Sequence, residues 1–474
     1  MAVHRKTTIK KSSAKRAKKS TAPAISESDP IFARAGEASD IPRHALPELG
    51  MRPDTARQMI HDELMLDGNA RLNLATFVST WMEPDARELM EETFDKNMID
   101  KDEYPVTAEL ESRCVSMLSR LWNSPDDEEA TGTSTTGSSE AAMLAGMALK
   151  WRWRARREAA GEPTAKPNLV MGSNVQVCWE KFCRYWEVEP RLVPMEGDRY
   201  HMTAEPALPF IDENTIGIVP VLGSTFDGSY EPVADICAAL DKLEHDTGLD
   251  IPVHVDGASG GFIAPFLDPD LVWDFRLPRV QSINASGHKY GLVYPGVGWV
   301  IWRNPEALPD DLVFNVNYLG GNMPTFALNF SRPGSQIVAQ YYNFIRLGFE
   351  GYRRVQQAAR DVATDLARKV GAMDHFELIT DGSELPVFAF RLADGIENYT
   401  VFHVTQVMRE RGWLLPAYSF PENRQDLAAI RVVVRNGFTH DLGGILLSDL
   451  ERAVTYLDRL QEPAPPLAGQ GFSH

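Results

Sequence analysis

Lys289 lies in "INASGHKYGLVYPGVGW", Ile283–Trp299, with Ala285, Ser286 and Gly287 before it and Tyr290, Gly291 and Leu292 after it. Small and apolar neighbours desolvate an ammonium group, which favours the neutral amine and makes it a nucleophile. Upstream, "IPVHVDGASGG" ends an apolar run on Asp256. A carboxylate at the carboxyl end of a strand lies where open α/β sheets bind ligands, and it can pair with a protonated ring nitrogen. "TGTSTTGSSEA" sets Gly137, Ser138 and Ser139 ahead of a helical pattern. Free N–H groups, the helix dipole and two hydroxyls attract an anion there. Taken singly, the aspartate reads as a turn cap and the serines as a helix cap. Taken together, an amine, an acid and an anion cradle fit pyridoxal phosphate.

Alternating elements must bring these groups together. "GSSEAAMLAGMALKWRWRARREAAG" reads as a long helix, and "PNLVMG", "RLVPM", "TIGIVPVLGST", "IPVHVD", "VQSINASG" and "GVGWVIWR" as strands. "NVQVCWEKFCRYW" and "VADICAALDKLEHDTG" read as helices between them. Apolar strands alternating with helices predict a mostly parallel sheet covered on both faces. "TARQMIHDELML" and "MEPDARELMEETFDKNMID" predict helices ahead of it, and "AQYYNFIRLGFEGYRRVQQAARDVATDLARKVGAM" a long helix leading to a second lobe. That lobe has strands "LPVFAFRL" and "AIRVVVRN" and helices "YTVFHVTQVMRERGW" and "DLGGILLSDLERAVTYLDRL". The division expected is a basic arm at 1–50, a helical segment at 51–75, a large cofactor domain at 76–350, a small domain at 351–462 and a tail at 463–474.

The 474 residues exceed one simple core, and 43% hydrophobic with 24% charged residues is the balance of a globular protein. The net charge is −18, and the first 20 residues hold eight basic and no acidic side chains, leaving −26 for the remainder. An acidic body argues against nucleic acid as a partner, and the arm reads as a solvated segment. No apolar run is long enough to span a membrane and no secretory signal is evident, so no membrane partner is expected. Four cysteines without CxxC spacing suit a reducing, cytoplasmic location.

"ASGHKYG", "HVDGASGGF", "GSSEA", "LDGNARLNLATF" and "VWDFRLPRV" resemble the glutamate decarboxylases of bacteria and plants. The resemblance runs from about residue 55 to 460. It implies an aspartate-aminotransferase-like (fold type I) α/β architecture, with a seven-stranded, mostly parallel sheet in a large domain and a small α+β C-terminal domain. It implies a carbon–carbon lyase that converts L-glutamate to 4-aminobutyrate and CO2, serving glutamate catabolism, 4-aminobutyrate supply or acid tolerance. Lys289 then matches the Schiff-base lysine and Asp256 the partner of the ring nitrogen. Ser138, Ser139, Ser286 and His288 match phosphate contacts, Gln176 and Ala258 the two faces of the ring, and Thr225 a contact near its 3-oxygen. Phe330 and Ser331 match contacts across a dimer interface. Thr76 and Phe77 match receivers of the distal carboxylate, Asn97 and Asp100 partners from a neighbouring subunit, and Arg431 an arginine near the α-carboxylate. Active sites shared in this way imply a homodimer or larger homo-oligomer. Gly257 departs from the alanine common in the family, and the terminal His474 resembles a histidine that closes the site in bacterial members.

Three alternatives compete with this reading. Another amino acid could be the substrate on the same fold, although "LATF" and "KNMID" favour glutamate. His254, Asp256 and His288 lack the tight spacing of metal ligands, so no metal site is expected. A binding protein without catalysis would have no need of both Lys289 and Asp256.

Overall fold

The computed structural model describes residues 41–125, 130–317, 323–465 and 467. Segment 1–20 and His474 lie outside the described residues. The chain divides into two units, Met1–Gly68 and Asn69–His474. In the first, helix α1 (Pro53–Leu64) begins on proline, whose missing N–H would have no intrahelical partner at that position. Its Ile60 and Leu64 are exposed.

The second unit opens with α2 (Pro84–Glu92) and α3 (Pro105–Leu121). The helix expected to run through Asp100 ends at Glu92 instead. The Thr93 hydroxyl donates back to the Leu89 carbonyl at 2.7 Å, which competes with continuation of the backbone ladder. Asn97, bridged to Pro333, and Asp100 therefore lie in the irregular segment that follows. Next come β1 (Thr131–Thr135), α4 (Ser138–Ala160), β2 (Asn168–Gly172), α5 (Val177–Tyr185), β3 (Glu189–Val193) and β4 (Thr215–Val219). After them lie α6 (Val233–Thr247), β5 (Val253–Asp256), β6 (Val280–Ala285) and β7 (Gly298–Trp302). These strands form a seven-stranded sheet in the order β1-β7-β6-β5-β4-β2-β3. Strands β3, β2, β4, β5 and β6 are parallel, and β7 runs antiparallel to both β6 and β1.

Pleating divides β7 between two cores. Trp299 and Ile301 join the cluster that contains Trp122 and Phe262, while Val300 and Trp302 join Leu149 and Trp153 of α4 on the other face. Burial on both faces is why the parallel strands read as continuous apolar runs. Beyond a hairpin of β8 (Phe314–Val316) and β9 (Met323–Thr325), helix α7 (Ser335–Val370) breaks at Gly348, where φ is +58°. Only glycine takes that conformation without strain, so the kink sits there. The chain closes with β10 (Phe376–Leu378), β11 (Val387–Leu392), α8 (Val401–Glu410), β12 (Ala417–Ser419), β13 (Ala428–Val433) and α9 (His440–Asp458). The four strands make an antiparallel sheet, β10-β11-β13-β12, with its own core around Phe388, Phe390, Leu446 and Leu450. The sheet architecture is that of the α/β fold expected.

Candidate active site

The register of β5 on β6 pairs His254 with Ser282 and Asp256 with Asn284. Two polar residues two apart on each strand therefore share one face of an otherwise apolar pair. Asp256 Oδ1 accepts from Asn284 Nδ2 at 3.0 Å and from the Ala258 amide at 3.1 Å, and Oδ2 accepts from the Trp179 indole at 2.8 Å. Three donors lock the carboxylate in one orientation. Behind it, the His254 ring nitrogens lie 2.7 Å from Ser282 Oγ and 2.7 Å from Asn284 Oδ1. Asn284 Oδ1 can only accept, so His254 donates from Nε2. Burial pushes this imidazole down to about 4, so it is neutral at physiological pH.

Lys289 follows β6, and its Nζ lies 3.4 Å from Ser259 Oγ and 5.3 Å from the centre of the Phe77 ring. Burial lowers its pKa, Asp256 opposes that shift, and Arg431 adds to it. The N-terminus of α4 is beside it. Ser286 Oγ donates to Ser138 Oγ at 2.8 Å. His288 Nδ1 accepts from the amides of Val297 and Gly296 at 3.3 and 3.4 Å. Burial, then the charge of Lys289, pushes this imidazole down to about 4. A Cβ on Gly298 would lie 2.4 Å from the Gly137 carbonyl carbon and 2.6 Å from the Ser138 nitrogen, so β7 packs directly on the helix start.

On the opposite wall, Arg431 of β13 donates to the carbonyls of Thr225 and Ala75, the latter at 2.7 Å. Its guanidinium stands 4.8 Å from the Phe77 ring centre, and its buried Nε has no partner among the described residues. Burying a cation costs several kcal/mol, and carbonyl dipoles offset only part of it. The arrangement is suited to an anionic ligand. Asp256, Lys289, Ser138, Ser286, His288 and Arg431 open into one cavity of about 470 Å³, within the range of roughly 300–1,000 Å³ usual for small-molecule sites.

Thr76, Phe77, Ser138, Ser139, Gln176 and Thr225 line this cavity, as do Asp256, Ala258, Ser286, His288, Lys289 and Arg431. Gln176 also caps α5, its Oε1 accepting from the Cys178 amide at 2.7 Å. Asn97, Asp100, Phe330 and Ser331 are not among the lining residues. Asn97 and Ser331 meet elsewhere: Asn97 Nδ2 donates to Ser331 Oγ at 3.3 Å, and Asn97 Oδ1 accepts from the Arg332 amide at 3.1 Å. Sequence reasoning passed over Trp179, Asn284 and Glu140. Glu140 lines the cavity and accepts from the amides of Thr136, Leu328 and Asn329, tying the cradle to the strand of chain that carries Phe330. Polar residues two apart in β6, facing those of β5, were a usable signal for Asn284. Nothing local marked Trp179. A Cβ on Gly257 would lie 3.0 Å from the Asn284 carbonyl oxygen, which suits glycine here.

The donor set fits pyridoxal phosphate. An amine and a fixed carboxylate face one cavity, and a tightly packed helix start with clustered hydroxyls opens into it. Residues 45–393 match the model of the pyridoxal-dependent decarboxylase conserved domain. The chain is 56% identical over 450 residues to a glutamate decarboxylase of Aliivibrio fischeri, covering 94% of this chain and 97% of that protein. It is 51% identical over 437 residues to a glutamate decarboxylase of Solanum lycopersicum, covering 92% and 87%. Among solved structures, the Lactobacillus brevis glutamate decarboxylase superposes with a TM-score of 0.88 at 48% identity, covering 91% of this chain and 99% of that one.

Proposed function

The chain belongs to the pyridoxal-dependent decarboxylase family, and we propose that it removes the α-carboxylate of L-glutamate as CO2, consumes one proton and releases 4-aminobutyrate. The observation that carries this reading is the single cavity onto which the Lys289 amine, the locked Asp256 carboxylate and the Arg431 guanidinium converge. Lys289, Asp256, Ser138, Ser139, Ser286 and His288 would hold pyridoxal phosphate, with Gln176, Ala258 and Thr225 beside its ring. When bound, that cofactor supplies an aldehyde for amines and a ring that takes up the electron pair of a breaking carbon–carbon bond.

The protein contributes position and charge. Asp256 is an aimed acceptor for a ring N–H, held by Trp179, Asn284 and Ala258. Lys289, its pKa lowered by burial, is biased toward the free amine that attacks. Arg431 receives a carboxylate, and Thr76 and Phe77 stand at the same wall for the distal one. Orientation provides most of the acceleration. A second copy of the chain supplies Asn97, Asp100, Phe330 and Ser331, which supports at least a homodimer. The reading is favoured by the bonding of Asn97 to Ser331 away from their own chain's cavity. The domain limits at 76–350 and 351–462 belong to the same proposal, supported by the Gly348 kink beside the boundary. So does a cytoplasmic location, supported by four buried free thiols.

The test is incubation with pyridoxal phosphate and L-glutamate at acidic and neutral pH, with CO2 and 4-aminobutyrate measured. Both products should appear in equal amounts. Turnover of a different amino acid, with none of glutamate, would retain the cofactor and overturn the substrate.

A further inference from the structure

A second arginine, Arg435, grips the same turn as Arg431 from just beyond the end of β13. Only 7% of it is exposed, and its hydrogen-bond partners among the described residues are carbonyls and one hydroxyl. Nη1 donates to the Val78 carbonyl at 2.7 Å and to Thr80 Oγ1 at 2.9 Å. Nη2 donates to the Asn73 carbonyl and, at 3.4 Å, to that of Ala70. Ala70 and Asn73 precede Thr76 and Phe77, and Val78 and Thr80 follow them. One planar fork thus brackets the turn at both ends, while Arg431 holds its middle through Ala75.

Other fixings of the turn are the Arg431 bond to Ala75 and the backbone pairs of Leu74 with Leu414 and Val433, at 2.9 and 3.0 Å. Asn73 Oδ1 accepts from the amides of Ala75 and Thr76 at 3.1 and 3.3 Å. Ser79 donates to the carbonyls of His288 and Lys289, each at 2.7 Å. Apolar packing alone would fill the space at lower cost than a buried cation, so the guanidinium answers a demand for geometry. A lysine can carry the charge but cannot reach acceptors on both sides with a rigid fork.

We propose that Arg435 is a positioning residue for substrate recognition, fixing Thr76 and Phe77 at the depth that suits the distal carboxylate of a five-carbon dicarboxylic amino acid over the four-carbon homologue. This rests on the reading of L-glutamate as substrate. Arg435 is not among the residues that line the cavity, so its loss should act through Thr76 and Phe77 and appear in substrate binding.

The experiment compares full-length holoenzymes of the wild type, Arg435→Lys, Arg435→Met and Thr80→Val on L-glutamate and L-aspartate, with cofactor absorbance and affinity measured alongside. Both Arg435 variants should raise KM for glutamate by about tenfold or more, with a much smaller change in kcat. Their preference for glutamate over aspartate should narrow, and cofactor binding should match the wild type. Thr80→Val, which deletes one acceptor, should shift KM the same way by about threefold. If Arg435→Met does not fold, Arg435→Lys and Thr80→Val decide the matter. An unchanged KM and unchanged preference in the folded variants overturn the proposal. So does loss of cofactor binding with KM intact. A wild type that does not turn over glutamate overturns the substrate reading and this inference with it, whereas an active wild type with indifferent variants overturns only the inference.

Discussion

At the scale of single residues, the site separates groups that do chemistry from groups that set their protonation and aim. Lys289→Ala removes the one lysine that lines the cavity among the described residues, so it should abolish the absorbance of a lysine-bound cofactor and lower turnover by at least about 10³-fold. Spectra and single-turnover assays check this, and a variant that keeps both would displace Lys289 from its position. Glu231 shows how burial, with a smaller push from the Asp227 charge, makes a pH response. Its oxygens accept from the amides of Met202 and Val221, each at 2.7 Å, yet burial pushes the carboxyl from 4.5 up to about 7. The folded state therefore keeps a proton that the unfolded chain releases in this window. The associated stability is fully present below about pH 4.5 and is lost as pH rises through 7. Glu231→Gln should flatten that loss, changing the wild-type-minus-variant stability by roughly 3 kcal/mol between pH 4.5 and 7. Denaturant midpoints at the two ends of the window measure it, and a wild type that gains on the variant with rising pH contradicts the assignment.

At the scale of elements, the cradle depends on how closely β7 meets α4. Gly298 pairs with Thr135 of β1, and a Cβ at this position would drive into the backbone of Gly137 and Ser138. Backbone cannot yield as the end of a side chain can. Gly298→Ala should displace the helix start and weaken cofactor affinity by about tenfold or more, a loss of about 1.4 kcal/mol. Equilibrium titration of the apo chain with pyridoxal phosphate reads this directly, and unchanged affinity would show that the helix start moves freely. The same elements show what could be read in advance. Strands β2, β4 and β5 were legible because burial on both faces makes them continuous apolar runs, and α4 because of its small polar start. Strand β1, "TGTST", carries no apolar run, so only its pairing with β7 reveals it. Asp256 stood out because it ends a strand-like run and Lys289 because it follows one among small and apolar neighbours, whereas Trp179 reaches Asp256 across 77 residues of sequence. The end of α2 was hidden because the back-bonding of Thr93 leaves no glycine or proline signature.

At the scale of the whole molecule, the question is which chain completes each cavity. Asn97 and Ser331 bond to one another, Met98 pairs its amide with the Arg332 carbonyl at 2.9 Å, and Arg332 makes a buried ion pair with Glu111 at 3.0 Å. The cluster is polar, and its Asn97 and Ser331, like the nearby Asp100 and Phe330, are not among the residues lining the cavity around Lys289. If a second copy brings them to the site, two differently damaged chains should repair one another. A Lys289→Ala chain retains the cluster, and an Asn97→Ala/Asp100→Ala chain retains the lysine. Half of randomly paired dimers are mixed, and each mixed dimer has one of its two sites intact. Refolding equal amounts together should thus restore up to about a quarter of wild-type turnover from parents that are weak alone. Activity equal to the average of the parents would place the cluster's contribution within its own chain, and would require the segment at 97–100 to move toward its own cavity when substrate binds.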